Sequence, residues 1–206
     1  MLATSLEARE LTKAFAGPPI FSHLSFRAES GFLAVKGRNG SGKTTLLKIL
    51  AALASPSSGS VSVRRGADEL SGDARRLAVG WAGPDLAFYE DFTAVENLRF
   101  LSRAGGRPVG DPELTRRLEE AGLAGASDRR VGAFSTGMKQ RLKIVFSLLF
   151  DPPVLLLDEP MIGLDPEGRA IVEKVVAARR RNGLVVLASN DPRDFMAPDQ
   201  VVELGQ

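Results

Sequence analysis

The sequence predicts an α/β fold: a mainly parallel sheet with flanking helices, joined to an antiparallel β subdomain and a helical subdomain. Three observations predict it. Val154–Leu157 and Val185–Ala188 are unbroken apolar runs, which suit strands covered on both faces. Short β-rich runs alternate with helical stretches elsewhere, as in a parallel sheet covered by helices. From about Thr93 to Asp151 the pattern is helical instead, with breaks at Gly105–Gly110 and Gly122–Gly132.

Taken in order, Leu6–Leu11, Leu24–Ala28, Ser60–Val63 and Leu77–Trp81 read as strands of the flanking sheet. Phe32–Lys36 is a strand running into a glycine loop, and Lys43–Leu53 follows as a helix that buries Leu46, Leu47, Ile49 and Leu50. Ala94–Ala104, Pro112–Ala121 and Met138–Phe150 are the helices of the insert, with Leu142, Phe146 and Leu149 at helical spacing. Gln200–Leu204 closes the chain as a strand, with no appended domain expected after it.

At 206 residues the chain is most economically one domain, 1–206, with the helical subdomain at about 93–151 inserted in the α/β core. The absence of cysteine excludes a disulfide framework and fits a reducing cytosol. No signal peptide is expected. The longest apolar candidate, Ile144–Leu157, is cut by Asp151, Pro152 and Pro153 and does not reach membrane-spanning length. A net charge of +2 gives no argument for nucleic acid.

The loop Gly37-Arg-Asn39-Gly40-Ser41-Gly42-Lys43-Thr44-Thr45 fits the phosphate-binding pattern of two glycines around four residues, then Lys-Thr. The glycines let backbone N–H groups approach phosphate oxygens, and the following helix aims its N-terminal dipole at the same anion. Lys43 supplies a point charge for the β- and γ-phosphates, and the Thr44 hydroxyl is a ligand for Mg²⁺. Because the loop follows a strand and opens a helix, the core is predicted to be of the P-loop NTPase kind. The loop alone leaves GTPases, kinases and several ATPases open.

Val154–Leu157 ends in Asp158-Glu159. Two acids at the end of a buried strand are costly unless they meet a cation and a reacting water. Asp158 is therefore expected to hold Mg²⁺, directly or through water, and Glu159 to polarise the attacking water.

With both motifs in place, the chain resembles the ABC (ATP-binding cassette) ATPases over essentially its whole length. Between the motifs, Phe134-Ser135-Thr136-Gly137-Met138-Lys139-Gln140-Arg141 is similar to the family signature, Leu-Ser-Gly-Gly-Gln followed by Gln-Arg. Phe, Thr and Met replace three of its residues, whereas Ser135 and Gly137 are kept. Ser135, taken alone, is an ordinary helix N-cap; in the signature it helps make an anion site. Gly163-Leu164-Asp165 resembles the D-loop, and Phe15 takes the place of the aromatic that stacks on adenine. The resemblance implies ATP and Mg²⁺ as cofactors, and a head-to-tail pair of such subunits, with a homodimer as the first expectation. In that pair the P-loop of one copy and Ser135–Gly137 of the other sandwich each ATP. It also implies a separate integral membrane permease as partner, and a cytoplasmic location on the inner face of the membrane.

Two family positions differ. The Gln that usually helps bind Mg²⁺ and water is replaced by Pro84, or by Asp85 if the loop is one residue shorter; Asp85 is then a metal candidate. The switch His is replaced by Asn190, which can hydrogen-bond a γ-phosphate but cannot titrate. The single histidine, His23, lies far upstream and reads as structural. Slow or partner-dependent hydrolysis is the expectation from these two positions. Compact size, Thr93–Phe100 and Leu6–Leu11 look like the haem-exporter (cytochrome c maturation) ATPase group, so haem or another exported small molecule is the expected cargo. An Fe–S-assembly type ATPase and a slow, ATP-sensing cassette are the other two readings.

Overall fold

The computed structural model describes residues 3–205; Met1, Leu2 and Gln206, the ends of the expected domain, lie outside the described residues. Two sheets are present among the described residues. The first is antiparallel and contains β1 (Thr4–Lys13), β2 (Phe21–Glu29), β4 (Ser58–Arg65) and β5 (Asp68–Leu70), in the order β2-β1-β4-β5. The second is wholly parallel and contains β3 (Gly31–Gly37), β6 (Val79–Ala82), β7 (Val154–Asp158), β8 (Leu184–Ser189) and β9 (Gln200–Leu204), in the order β6-β7-β8-β3-β9.

The parallel strands are apolar because both their faces are covered. Along β3, β7 and β8, Leu33, Val35, Leu156 and Val186 point into a core shared with the antiparallel sheet and with α1 (Lys43–Leu50). The alternate residues Phe32, Leu155, Leu157, Val185 and Leu187 pack on the other face, against Val172 and Val176 of α6 (Pro166–Arg179). The two-residue period of the strand thus divides one apolar run between two cores.

A third cluster belongs to the helical segment. It joins Leu98 of α3 (Ala94–Ala104), Leu114 and Leu118 of α4 (Asp111–Glu120), and Leu142 and Val145 of α5 (Thr136–Ser147). Thr93 opens α3 with a capping box: its hydroxyl accepts from the Glu96 N–H at 3.1 Å, and the Glu96 carboxylate accepts from the Thr93 N–H at 2.8 Å. Asn97, fully buried, bonds both the N–H and the carbonyl of Tyr89 and so pins the loop before the helix.

The predicted elements recur, Ala94–Ala104 and Gln200–Leu204 with their ends unchanged and the others with shifted ends. One placement is corrected. The expected strand Leu77–Trp81 is not in the flanking sheet. Its first residue ends a short helix, α2 (Gly72–Leu77), and the strand, β6, pairs in parallel with β7 at Val79–Val154 and Ala82–Leu157. Local sequence carries propensity but not partner, and Gly80 and Trp81 gave no alternation to tell one sheet from the other. Helix α6, to which no sequence expectation was attached, opens on the N-cap Asp165 with Pro166 at its first position.

Candidate nucleotide site

The parallel register brings the ends of three strands to one edge. Lys36 of β3 lies opposite Ser189 of β8, and Asp158 of β7 lies opposite Ala188. The glycine loop, the two acids and Asn190 therefore meet outside the carboxyl ends of the strands, where open α/β sheets bind ligands.

The loop is shaped by its glycines. Gly42, at φ 96°, is the left-handed N-cap of α1, and a side chain there would also strike Ile20. Thr44 and Thr45 stand in the first turn of α1. Lys43 is buried and turns back over the loop, donating from Nζ to the carbonyls of Gly37 (2.8 Å) and Arg38 (3.2 Å). The same ammonium lies 3.8 Å from Glu159 Oε1. Ser41 Oγ is buried and has no hydrogen-bond partner among the described residues.

Asp158 is only 2% exposed, and among the described residues neither of its carboxylate oxygens has a hydrogen-bond partner. Burial holds its pKa above the ordinary carboxylate value, opposed by the neighbouring Thr44 hydroxyl and by Lys43. Two orphaned carboxylate oxygens beside a hydroxyl on a helix N-terminus fit a hard cation. Mg²⁺ suits this donor set because it binds through one or two protein oxygens and takes its remaining ligands from phosphates and water.

Glu159 adopts φ 48°, uncommon for a residue with a side chain, and its N–H bonds the Ala188 carbonyl at 2.8 Å. Its carboxylate reaches across to the end of β8. Oε1 accepts from the Asn190 N–H at 3.1 Å, and Oε2 lies 3.0 Å from the Ser189 hydroxyl. Burial raises the Glu159 pKa, offset by Ser189, Lys43 and the Asn190 N–H. The Asn190 side chain donates from Nδ2 to Asn39 Oδ1 of the loop at 2.9 Å, so the residue in the switch position touches both the acid and the phosphate loop.

Other expected residues stand apart from this cluster. Phe15 is 66% exposed, with Lys13 Nζ 4.8 Å from its ring centre. Ser135 caps α5 by accepting from the Met138 N–H at 3.2 Å, and it remains exposed. Gly137 packs so closely on Gly163 that a Cβ would sit 2.8 Å from the Gly163 carbonyl oxygen, which joins the signature to the D-loop within one chain. Asp165 caps α6 through the Gly168 N–H at 2.8 Å. Asp85 is paired with Lys48 at 3.0 Å, and its charge is felt at Asp158. The carbonyls of Gly83 and Pro84 accept from Lys143 at 2.9 and 3.2 Å.

Ser189, Asp194 and Arg169 were not among the expected site residues, yet they form a hydrogen-bonded line that leads to Glu159 through Ser189. The signal was present in Leu184–Ser189: Ser189 is the one hydroxyl in an otherwise apolar, fully buried strand.

A glycine loop between a parallel strand and a helix, facing two acids on the neighbouring strand, defines a P-loop nucleoside triphosphatase. The chain belongs to the ABC transporter family, whose pattern matches residues 21–162, and it is an ATP-binding, ATP-hydrolysing subunit of that family. It is 31% identical over 183 residues to the cytochrome c biogenesis ATP-binding export protein CcmA of Vibrio cholerae, spanning 88% of each chain. It is 32% identical over 186 residues to the lantibiotic transport ATP-binding protein SrtF of Streptococcus pyogenes, spanning 90% of this chain and 79% of that one. The fold is shared with a dimeric post-hydrolysis ATP-binding cassette bound to ADP and Pi, at a TM-score of 0.81 and 21% identity, covering 97% of this chain and 94% of the other. These relatives favour the transporter reading over the Fe–S-assembly one.

Proposed function

We propose that residues 1–206 act as one ABC ATPase domain, its helical subdomain at about 93–151, that closes on ATP with a second copy and drives a separate membrane permease. The observation that carries the reading is Asp158, with two buried and unpartnered carboxylate oxygens facing the start of α1. Buried charge of that kind is retained where a cation answers it.

In this reading the N–H groups of Gly37–Thr45 and the N-terminus of α1 cradle the triphosphate. Lys43 exchanges the Gly37 and Arg38 carbonyls for phosphate oxygens. Thr44 and Asp158 hold Mg²⁺, which when bound offsets the charge on the β- and γ-phosphates. Asp85 joins them only if it leaves Lys48. Glu159 accepts the proton of the water whose oxygen bonds the γ-phosphorus as the bridge to ADP breaks. Phe15 stacks on adenine. Ser135, Gly137 and Asp165 serve the nucleotide of the opposite copy, a role supported by the exposure of Ser135 and by the dimeric neighbour.

No described helix is long and apolar enough to cross a membrane, which is consistent with a permease supplied by another chain at the inner face. The export protein and the transport protein among the relatives support a transport role, and haem or another exported small molecule is the cargo that the resemblance to the haem-exporter group implies. Asn190, uncharged and bonded to Asn39, together with Pro84 or Asp85 in the glutamine slot, makes hydrolysis slow or dependent on the partner. Steady-state ATPase rates of the wild type, Glu159→Gln and Asn190→His test this. Loss of turnover in Glu159→Gln and a gain in Asn190→His are expected; a wild-type rate unchanged in Asn190→His would refute the slow-hydrolysis claim. Co-purification with a multi-spanning membrane protein tests the transport role.

A further inference from the structure

The Ser189 hydroxyl has one hydrogen and two carboxylates within reach. Its Oγ lies 3.0 Å from Glu159 Oε2 and 2.6 Å from Asp194 Oδ2, while it accepts from the Asp191 N–H at 3.1 Å. Ser189 is fully buried and Asp194 is 5% exposed, so solvent does not supply a second donor freely. The other oxygen of Asp194 is held by Arg169 Nη2 at 2.6 Å, which anchors this carboxylate to the first turns of α6. On the Glu159 side, Oε1 is occupied by the Asn190 N–H and faces Lys43, and among the described residues the hydrogen-bond partner of Oε2 is Ser189. Gln140 touches only the Glu159 backbone carbonyl, at 3.4 Å.

We propose that Ser189 and Asp194 are positioning residues for Glu159, with the Ser189 hydroxyl acting as a two-position donor. When it donates to Asp194, Oε2 of Glu159 is left open to accept from the attacking water. When it donates to Glu159, that oxygen is occupied. The Arg169–Asp194 pair favours the first position, since it fixes a carboxylate oxygen at 2.6 Å from the hydroxyl. The inference rests on Glu159 being the acceptor of the water proton, and it assigns a task to three residues outside the motifs.

The substitution Asp194→Asn reverses the donor direction in a defined way. Arg169 carries only donors, so the amide oxygen must face it and the amide N–H₂ must face Ser189. The Ser189 hydroxyl then receives hydrogen bonds from the amide and from the Asp191 N–H, and its own hydrogen is forced onto Glu159 Oε2. Steady-state ATPase of the purified chain with Mg²⁺ and ATP should show kcat lowered by about tenfold or more, as for one hydrogen bond to a charged group. KM should stay within about twofold, because no residue of the phosphate loop is touched.

A double-mutant cycle separates this from a merely structural loss. In a Ser189→Ala background the Asp194→Asn substitution should cost less than about twofold, and in a Ser189→Thr background it should again cost about tenfold. Should Asp194→Asn not fold, Asp194→Ala removes the competing acceptor outright, and the same loss with the same relief by Ser189→Ala is expected. An equal loss with and without the Ser189 hydroxyl would overturn the inference, as would an unchanged kcat in Asp194→Asn. Glu159→Gln in the same assay distinguishes the two levels. If it is inactive while Asp194→Asn matches the wild type, only the relay fails; if it keeps full activity, the reading of Glu159 fails and takes the relay with it.

Discussion

At Asp158 the demands of folding and of chemistry oppose each other. A carboxylate with no hydrogen-bond partner among the described residues, in the apolar end of β7, destabilises the folded chain unless a cation answers it. Asp158→Asn is therefore expected to abolish Mg²⁺-dependent hydrolysis while stabilising the nucleotide-free fold by about 1 kcal/mol. The sign of its pH dependence follows from the raised pKa. Burial lifts the folded value above the ordinary 3.8, so ionisation favours the unfolded chain, and wild-type stability from this group is lost as pH rises through the carboxylate range. Thermal melts in EDTA should thus show little difference between wild type and Asp158→Asn at low pH, and a growing advantage for the variant above the carboxylate range. Residue types alone made Lys43, Thr44, Asp158 and Glu159 legible, because buried acids after an apolar strand have few other uses. Ser189 carried a local signal, one hydroxyl at the end of an apolar run, but its pairing with Asp194 was not legible. Five residues apart, they meet only because the chain turns back at Asp191–Asp194, where Asp191 caps a short 3-10 turn.

Among the elements, α4 shows how charge patterning holds the helical segment. Glu113 accepts from both Arg116 and Arg117, and Arg117 reaches the carbonyls of Leu148 and Leu149 beyond the end of α5, both at 3.0 Å. The hydrogen bonds from Arg116 and Arg117 bring the Glu113 pKa down from 4.5 to about 2. A depressed folded value means that the stabilisation is complete above pH 4.5 and is lost as pH falls towards about 2. Glu113→Gln should accordingly lower the melting temperature at pH 7, with the gap to wild type closing below about pH 4 in matched melts. The expected helix Ala94–Ala104 coincides with α3, whose start is set by a local device, the capping box of Thr93 and Glu96. The place of β6 was not local: which sheet takes a short strand depends on the neighbour it pairs with, here Val154–Leu157.

On the scale of the whole molecule, the glycine loop and Ser135–Gly137 open two different helices, α1 and α5. Lys43 lies with Asp158 and Glu159 at the edge of the parallel sheet, whereas Thr136 and Gly137 sit against Gly163 and Ser135 beside them is exposed. If each ATP is completed by the opposite copy, a chain with Lys43→Ala and one with Ser135→Arg should each be inactive alone. Mixed in equal amounts they should recover about a quarter of wild-type turnover, since half the dimers carry one intact site of two. No recovery on mixing, with dimers demonstrated by sedimentation, would refute the shared site. The sequence by itself determined the parallel core, the phosphate loop, the acid pair and the family, because these depend on residue type and spacing along contiguous segments. Only the tertiary structure decided the partner of β6, the tie between Asn190 and Asn39, and the shared hydroxyl of Ser189. The physical reason is that hydrogen bonds between strand ends depend on sheet register, which joins residues as far apart as Asn39 and Asn190 and is written in no single stretch of the chain.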